Sequence, residues 1–254
     1  MTDRIESFRV GDSPRVVAAT RRGDIAVVIG EPGTVQVRFA GSGADGFDVN
    51  QLGDRITVES RRRGLFGSSI DIILTVPTAA GLELSCTSGD IVVQGDVEEL
   101  KASVASGDVR AGTIRSACRV NSASGDIRVD SVRDAEINTA SGDVRLGRVE
   151  QTLRLNSASG DVYVGEVGES ATFKVASSTV RVACLSGSEL RYKSMSGDLV
   201  VGIPQHRTIE LDFTSLSGQL RNRLPAGDGS PSEKVVTISV NAVSGDLTLR
   251  GATR

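Results

Sequence analysis

At 254 residues and 39% hydrophobic side chains, the chain is long enough for one all-β domain. Its 29 glycines, 3% aromatics and lack of tryptophan point to small side chains in narrow layers and speak against an aromatic-lined small-molecule pocket. A net charge of −3 with both signs interspersed argues against general nucleic-acid binding, which requires a strongly basic face.

The polar start, Met1-Thr2-Asp3-Arg4-Ile5-Glu6, has no apolar run behind it, and no segment reaches membrane-spanning length, so the expectation is a cytoplasmic chain without a membrane span. Arg22-Gly23-Asp24 precedes the apolar Ile25-Ala26-Val27-Val28 and reads as a strand corner. Alternation in Thr34–Phe39 and in Ile70–Pro77 reads as strand. Gly41-Ser42-Gly43-Ala44-Asp45-Gly46 has the letters of a dinucleotide fingerprint, but Phe47-Asp48-Val49-Asn50 opens no helix to hold a pyrophosphate, which leaves a turn. The run Arg61, Arg62, Arg63, Leu65 and Phe66 sets cations beside apolar groups and is a candidate surface for an acidic partner or a membrane. Three charges are too few to anchor alone, so a solvated hairpin tip is the plainer reading. Residues 1–81 are taken as irregular opening coils with an N-terminal cap, and 82–254 as the regular part of the same continuous domain.

From Ser88 onward the chain repeats. Ser-Gly-Asp begins at Ser88, Ser106, Ser124, Ser141, Ser159, Ser196 and Ser244, with degenerate copies at Ser177-Ser178-Thr179 and Ser217-Gly218-Gln219. The intact run is spaced 18, 18, 17 and 18 residues. The position six before the serine is apolar in every copy, from Leu82, Leu100 and Cys118 to Leu211 and Ile238, and so is the position two further on. A second apolar strand starts directly after the aspartate, at Ile91, Val109, Ile127 and their equivalents. Strands this short bury a face only by stacking, about 4.8 Å apart, on copies of themselves. The fold class read here is therefore all-β, a single-stranded parallel β-helix (β-solenoid) of about 18 residues per coil, expected to be right-handed. An antiparallel sandwich would put successive strands in unlike environments, and the matching columns argue against it. Insertions after Gly202 and after Leu224 are expected to protrude, and the coil at Leu247–Arg250 is expected to end the stack with an open edge.

The turn explains its own residues. Glycine (Gly89, Gly107, Gly125, Gly142, Gly160, Gly197, Gly245) reaches corner dihedrals, and aspartate (Asp90, Asp108, Asp126, Asp143, Asp161, Asp198, Asp246) caps nearby amides. A stacked carboxylate ladder could alternatively hold cations, but Arg110, Arg128 and Arg145 lie two residues beyond Asp108, Asp126 and Asp143, on the same outward face. Those arginines offset the acids and form the second candidate interaction surface. No metal site and no cofactor are expected. The three cysteines, Cys86, Cys118 and Cys184, form no Cys-x-x-Cys pair and read as buried apolar residues. The single histidine, His206, has no nucleophile motif around it.

Val76-Pro77 leading into Ser88-Gly89-Asp90-Ile91, followed by Ser-Gly-Asp-hydrophobic at the repeat spacing, resembles the bacterial β-strand-repeat family labelled "putative adhesin", a domain of unknown function, over roughly residues 20 to 250. The resemblance implies a parallel β-helix without an established enzymatic activity. The expected function is a non-enzymatic scaffold that binds a protein partner or itself through its ends. An envelope-associated adhesin and a bactofilin-like filament former are the alternatives.

Overall fold

The computed structural model describes residues 4–41, 43–61, 69–225 and 234–252, nearly all of them in strands and tight corners. The chain forms two compact units, Met1–Val129 and Asp130–Arg254. Both are all-β and predominantly parallel, in the manner of a β-solenoid.

The first unit contains β1 (Arg4–Arg9), β2 (Arg15–Arg22), β3 (Ile25–Ile29), β4 (Thr34–Ala40), β5 (Phe47–Leu52), β6 (Arg55–Ser60), β7 (Asp71–Val76), β8 (Gly81–Ser88), β9 (Ile91–Val93), β10 (Glu99–Ser106) and β11 (Val109–Ser124). Strands pair with their equivalents in the neighbouring coil. Leu100 lies between Leu82 and Cys118, and Ala102 between Leu84 and Val120. All six are essentially buried, and each large side chain withdrawn from water in this way contributes about 1.5–3 kcal/mol.

The opening coils do not stack in chain order. The β2–β3 coil is sandwiched between β6–β7 and β8–β9, so Ala18 pairs with Val58 on one side and with Leu84 on the other. The outer coil is then closed by antiparallel strands, β4 on β7, β1 on β4 and β5 on β6. Val35, Val37 and Phe39 of β4 are fully buried, and Arg4 donates to the carbonyls of Ala44 and Phe47 at 3.0 and 2.8 Å. This end of the unit is covered.

The second unit contains most of β12 (Ile127–Ser141), then β13 (Val144–Val149), β14 (Thr152–Ser159), β15 (Val162–Val167), β16 (Ser170–Ser177), β17 (Val180–Leu185), β18 (Glu189–Ser196), β19 (Leu199–Ile203), β20 (Thr208–Ser217), β21 (Leu220–Arg223), β22 (Val235–Ser244) and β23 (Leu247–Gly251). Leu153 lies between Ala135 and Ala171, and Phe173 between Leu155 and Tyr192.

Chain order breaks here too. β22–β23 is inserted between β18–β19 and β20–β21, so Val240 pairs with both Tyr192 and Phe213. The expectation that Leu247–Arg250 ends the stack is therefore corrected, since that coil is interior and the outer one is β20–β21. The first insertion carries the chain from β19 to β20, and Arg207 ties it to the carbonyl of Ser186 at 2.8 Å. Residues 226–233 of the second insertion lie outside the described residues.

Candidate functional site

The Ser-Gly-Asp corners form a hydrogen-bonded ladder along each unit. In the first unit the amide of Asp90 donates to Oδ1 of Asp24, that of Asp108 to Asp90 and that of Asp126 to Asp108, at 2.8 to 2.9 Å. Asp71 starts the series by accepting from the amide of Asp24 at 2.9 Å. In the second unit Asp161 donates to Asp143, Asp246 to Asp198 and Gln219 to Asp246. Each of these carboxylates satisfies a corner amide one coil away that has no sheet partner.

The second carboxylate oxygen faces arginine. Arg110 reaches Oδ2 of both Asp90 (3.3 Å) and Asp108 (2.6 Å), and Arg145 reaches Asp143 at 3.4 Å. The same pairing continues as Arg181–Asp161 at 3.5 Å and Arg221–Asp246 at 2.9 Å. These pairs are about half exposed and contribute roughly 0–1 kcal/mol each, but they leave Arg110 and Arg145 engaged by the ladder's own acids. Arg128 also carries an interaction of its own. Among the described residues no group of His, Cys, Asp and Glu is arranged to hold a metal ion.

Removing one rung tests this assignment. Asp108→Ala deprives the Asp126 amide of its acceptor and should cost about 1 kcal/mol in urea unfolding, while Asp108→Asn, which keeps an oxygen in place, should recover most of it. Equal losses in the two variants would assign the effect to charge instead.

Behind the corner, an inward column of small polar groups serves the same turns. Thr20, Thr139 and Ser157 donate their hydroxyls to the carbonyls of Arg22, Ser141 and Ser159 at 3.0 to 3.1 Å. Cys86 occupies the column too, 3.3 Å from the carbonyl of Gly23. From the neighbouring apolar column the Tyr192 hydroxyl donates to the carbonyl of Gly197 at 3.1 Å.

Burial pushes the Cys86 thiol up to about 11 and the Cys118 thiol up to about 12, from 9.0. Both are neutral, unreactive packing groups at ordinary pH. Above pH 9 the unfolded chain releases these protons while the folded chain keeps them, so their contribution to stability is intact below pH 9 and falls as pH rises toward 12. Cys118→Ala should flatten that alkaline fall by up to about 1.4 kcal/mol per pH unit in urea titrations. Parallel slopes for parent and variant would contradict it.

Of the basic run, Arg61 is ion-paired with Asp48 across the β5–β6 hairpin. Arg62, Arg63, Leu65 and Phe66 lie outside the described residues. His206 sits exposed on the β19–β20 connection with φ of 58°. The nearby Ser186 hydroxyl donates to Glu166 at 2.9 Å, and Glu166 also meets Arg148 at 3.3 Å. That places Ser186 in a surface salt-bridge network.

The feature that sequence columns did not locate is the outer coil. Ile209, Leu211 and Phe213 are only half-buried, Leu220 is 45% exposed, and β20 and β21 each pair on one side only among the described residues. The amide of Thr208 points inward, to the carbonyl of Lys234 at 3.1 Å. By strand alternation, Ile209, Leu211 and Phe213 aim their N–H and C=O groups at the open edge.

A stacked, mostly parallel β-coil whose corner carboxylates are consumed by their own backbone defines a repeat protein of the β-solenoid-like class. The chain belongs to the Toastrack DUF4097 family, which matches residues 20–250. No catalytic activity is known for that family. Solved structures similar to it include a "putative adhesin" from Bacteroides fragilis (12% identity, 97% of each chain, TM-score 0.51) and a "putative lipid binding protein" from Parabacteroides distasonis (11% identity, 96% of each chain, TM-score 0.53). A further "putative adhesin" from Parabacteroides distasonis shares 8% identity over 98% of this chain and 97% of that one, with a TM-score of 0.53. At such identities the likeness concerns fold alone. No curated protein matches the chain.

Proposed function

We propose that this protein is a non-enzymatic scaffold, a right-handed single-stranded parallel coil with a period of about 18 residues, that acts by self-association through the uncovered β20–β21 coil. One observation carries the reading. Leu211, Phe213 and Leu220 stand in the columns of Leu190, Tyr192 and Leu199, which are 0%, 2% and 0% exposed, yet Leu220 is 45% exposed and the other two are half-buried. Among the described residues, a coil built to have a neighbour on each side has one on one side only. Analytical ultracentrifugation over a range of concentrations should find a species heavier than one chain, and Phe213→Lys should return it to monomer with an unchanged far-ultraviolet spectrum. A strict monomer at the highest concentration overturns the proposal.

A second reading has its own observation. Met195, Val243 and Leu216 stand level on three adjacent strands and are 68%, 51% and 86% exposed, with Lys174, Arg191 and Lys193 on the same sheet face. Exposed apolar groups with Lys174 and Lys193 beside them suit an anionic lipid or envelope surface, while Glu210 and Asp212 lie on the same face and Arg191 is paired with Glu189. The names adhesin and lipid binding protein given to two similar structures are in keeping with it. Co-sedimentation with anionic but not zwitterionic vesicles, lost in Met195→Glu, supports it. Equal behaviour with both vesicle types removes it.

A further inference from the structure

We infer that the self-association is a closed two-fold dimer in which β20 pairs antiparallel with β20 of a second copy, centred on Phe213. This rests on the reading that the uncovered coil is the interaction surface, and adds its symmetry, register and stoichiometry.

The occupant follows from the shape and chemistry of the edge. The uncovered surface runs along β20, turns the Ser217–Gln219 corner and continues to Leu220 on β21. A second copy matches this edge in kind, because its own β20 presents the same apolar stripe of Ile209, Leu211 and Phe213.

Charge selects the register. In a two-fold pairing, centring on Leu211 sets Glu210 directly opposite Asp212 of the second copy, twice, and centring on Asp212 sets that carboxylate opposite itself. Like charges across a strand pair are destabilising. Centring on Phe213 sets Asp212 opposite Thr214 and Glu210 opposite Leu216, and pairs Ile209 through Ser217 of both copies. Centring on Thr214 also separates the acids, but pairs only Leu211 through Ser217. Phe213 therefore gives the longest pairing free of like-charge contacts. The backbone agrees, since Leu211 and Phe213 already point their hydrogen-bonding groups outward.

Closure follows from the symmetry of the contact. In the first unit β4 and β5 seal the coil at one end, with Val35, Val37, Phe39 and Phe47 buried, whereas in the second unit β20–β21 pairs on one side only among the described residues. An isologous contact uses the same patch on both copies, so each chain spends its bare coil once and growth stops at two.

The register can be read covalently. Asp212 and Thr214 of the second copy would form a non-hydrogen-bonded antiparallel pair, with Cα atoms about 4.5 Å apart, within disulfide reach. In a Cys184→Ser background, which removes the one half-exposed thiol, Asp212→Cys/Thr214→Cys should oxidise to a covalent dimer on a non-reducing gel, while either single cysteine variant stays at the monomer position. Efficient cross-linking of Thr214→Cys alone overturns this register. Failure of the double variant to cross-link while sedimentation of the parent still shows a dimer overturns the inference and leaves self-association standing. A ladder of higher masses in sedimentation overturns closure, and a parent that is monomeric throughout overturns both inference and function.

Discussion

Gly107→Ala should lower the stability to urea by about 3–5 kcal/mol, among the largest effects of any single methyl group in the chain. Two independent costs meet at this atom. The backbone of Gly107 has φ of 141°, a conformation that L side chains rarely adopt, and an added Cβ would lie 2.1 Å from the carbonyl oxygen of Gly89 in the coil below. The oxygen belongs to the backbone of a stacked corner and cannot rotate away. Relief requires the two coils to part, which strains the bond from the Asp108 amide to Asp90 and the one from the Gly89 amide to Ser106.

Two further glycines in the same unit separate those costs. Gly53 has φ of 60° and an added methyl there would meet nothing within 4 Å, so Gly53→Ala bears only the left-handed strain, about 1 kcal/mol. Gly46 has neither the strained dihedral nor a close neighbour, and Gly46→Ala should fall within about 0.5 kcal/mol of the parent. The order Gly107, Gly53, Gly46 is the expected result of urea titrations on the three variants. If Gly107→Ala is no worse than Gly53→Ala, the corners are not packed carbonyl against Cα, and the acid ladder is wrong in its most constrained dimension.

The columns were legible because stacking makes environment periodic. Leu82, Leu100 and Cys118 look alike in the sequence since they touch one another in the fold. The arginine partners of the acid ladder were legible for the same reason, as two residues along a strand return to the same face. Coil order was not legible, and for a physical cause. A column requires each coil to lie on another of its kind but is indifferent to which, so Val240 fits equally beside Tyr192 whether or not Phe213 follows it. The strand at Thr34–Phe39 was legible but its antiparallel direction was not, because alternation reads the same in either direction.

One signal could have marked the bare end. Gln219 and Thr179 both stand where intact corners carry aspartate, and Gln219 is the one on the outer coil, where its amide donates to Asp246 while among the described residues no further amide waits to be accepted. An aspartate there would have no coil to serve. Asp71 is the mirror case, an acid without the preceding Ser-Gly that nonetheless caps the amide of Asp24. Degeneracy alone does not mark position, since the Ser177-Ser178-Thr179 corner is equally altered and lies between paired coils.

The second large effect compares two phenylalanines of one column. Phe173 is fully buried between Leu155 and Tyr192, so Phe173→Ala removes a ring that neighbouring coils cannot replace and should cost about 3–5 kcal/mol at any protein concentration. Phe213 faces the same column but has a coil on one side only, so Phe213→Ala should cost an isolated chain much less, about 1 kcal/mol. In the dimer that same ring is covered. The parent's melting temperature should then rise with protein concentration, as mass action requires when folding and association are linked, and Phe213→Ala should abolish the rise while Phe173→Ala preserves it at a lower temperature. The comparison isolates the open coil from general core damage, because both substitutions delete the same atoms from the same face of the same kind of strand. A concentration-independent melting temperature in the parent, or an equal cost for both variants in dilute solution, would mean that Phe213 already has its neighbour and that the end of the second unit is not an interface.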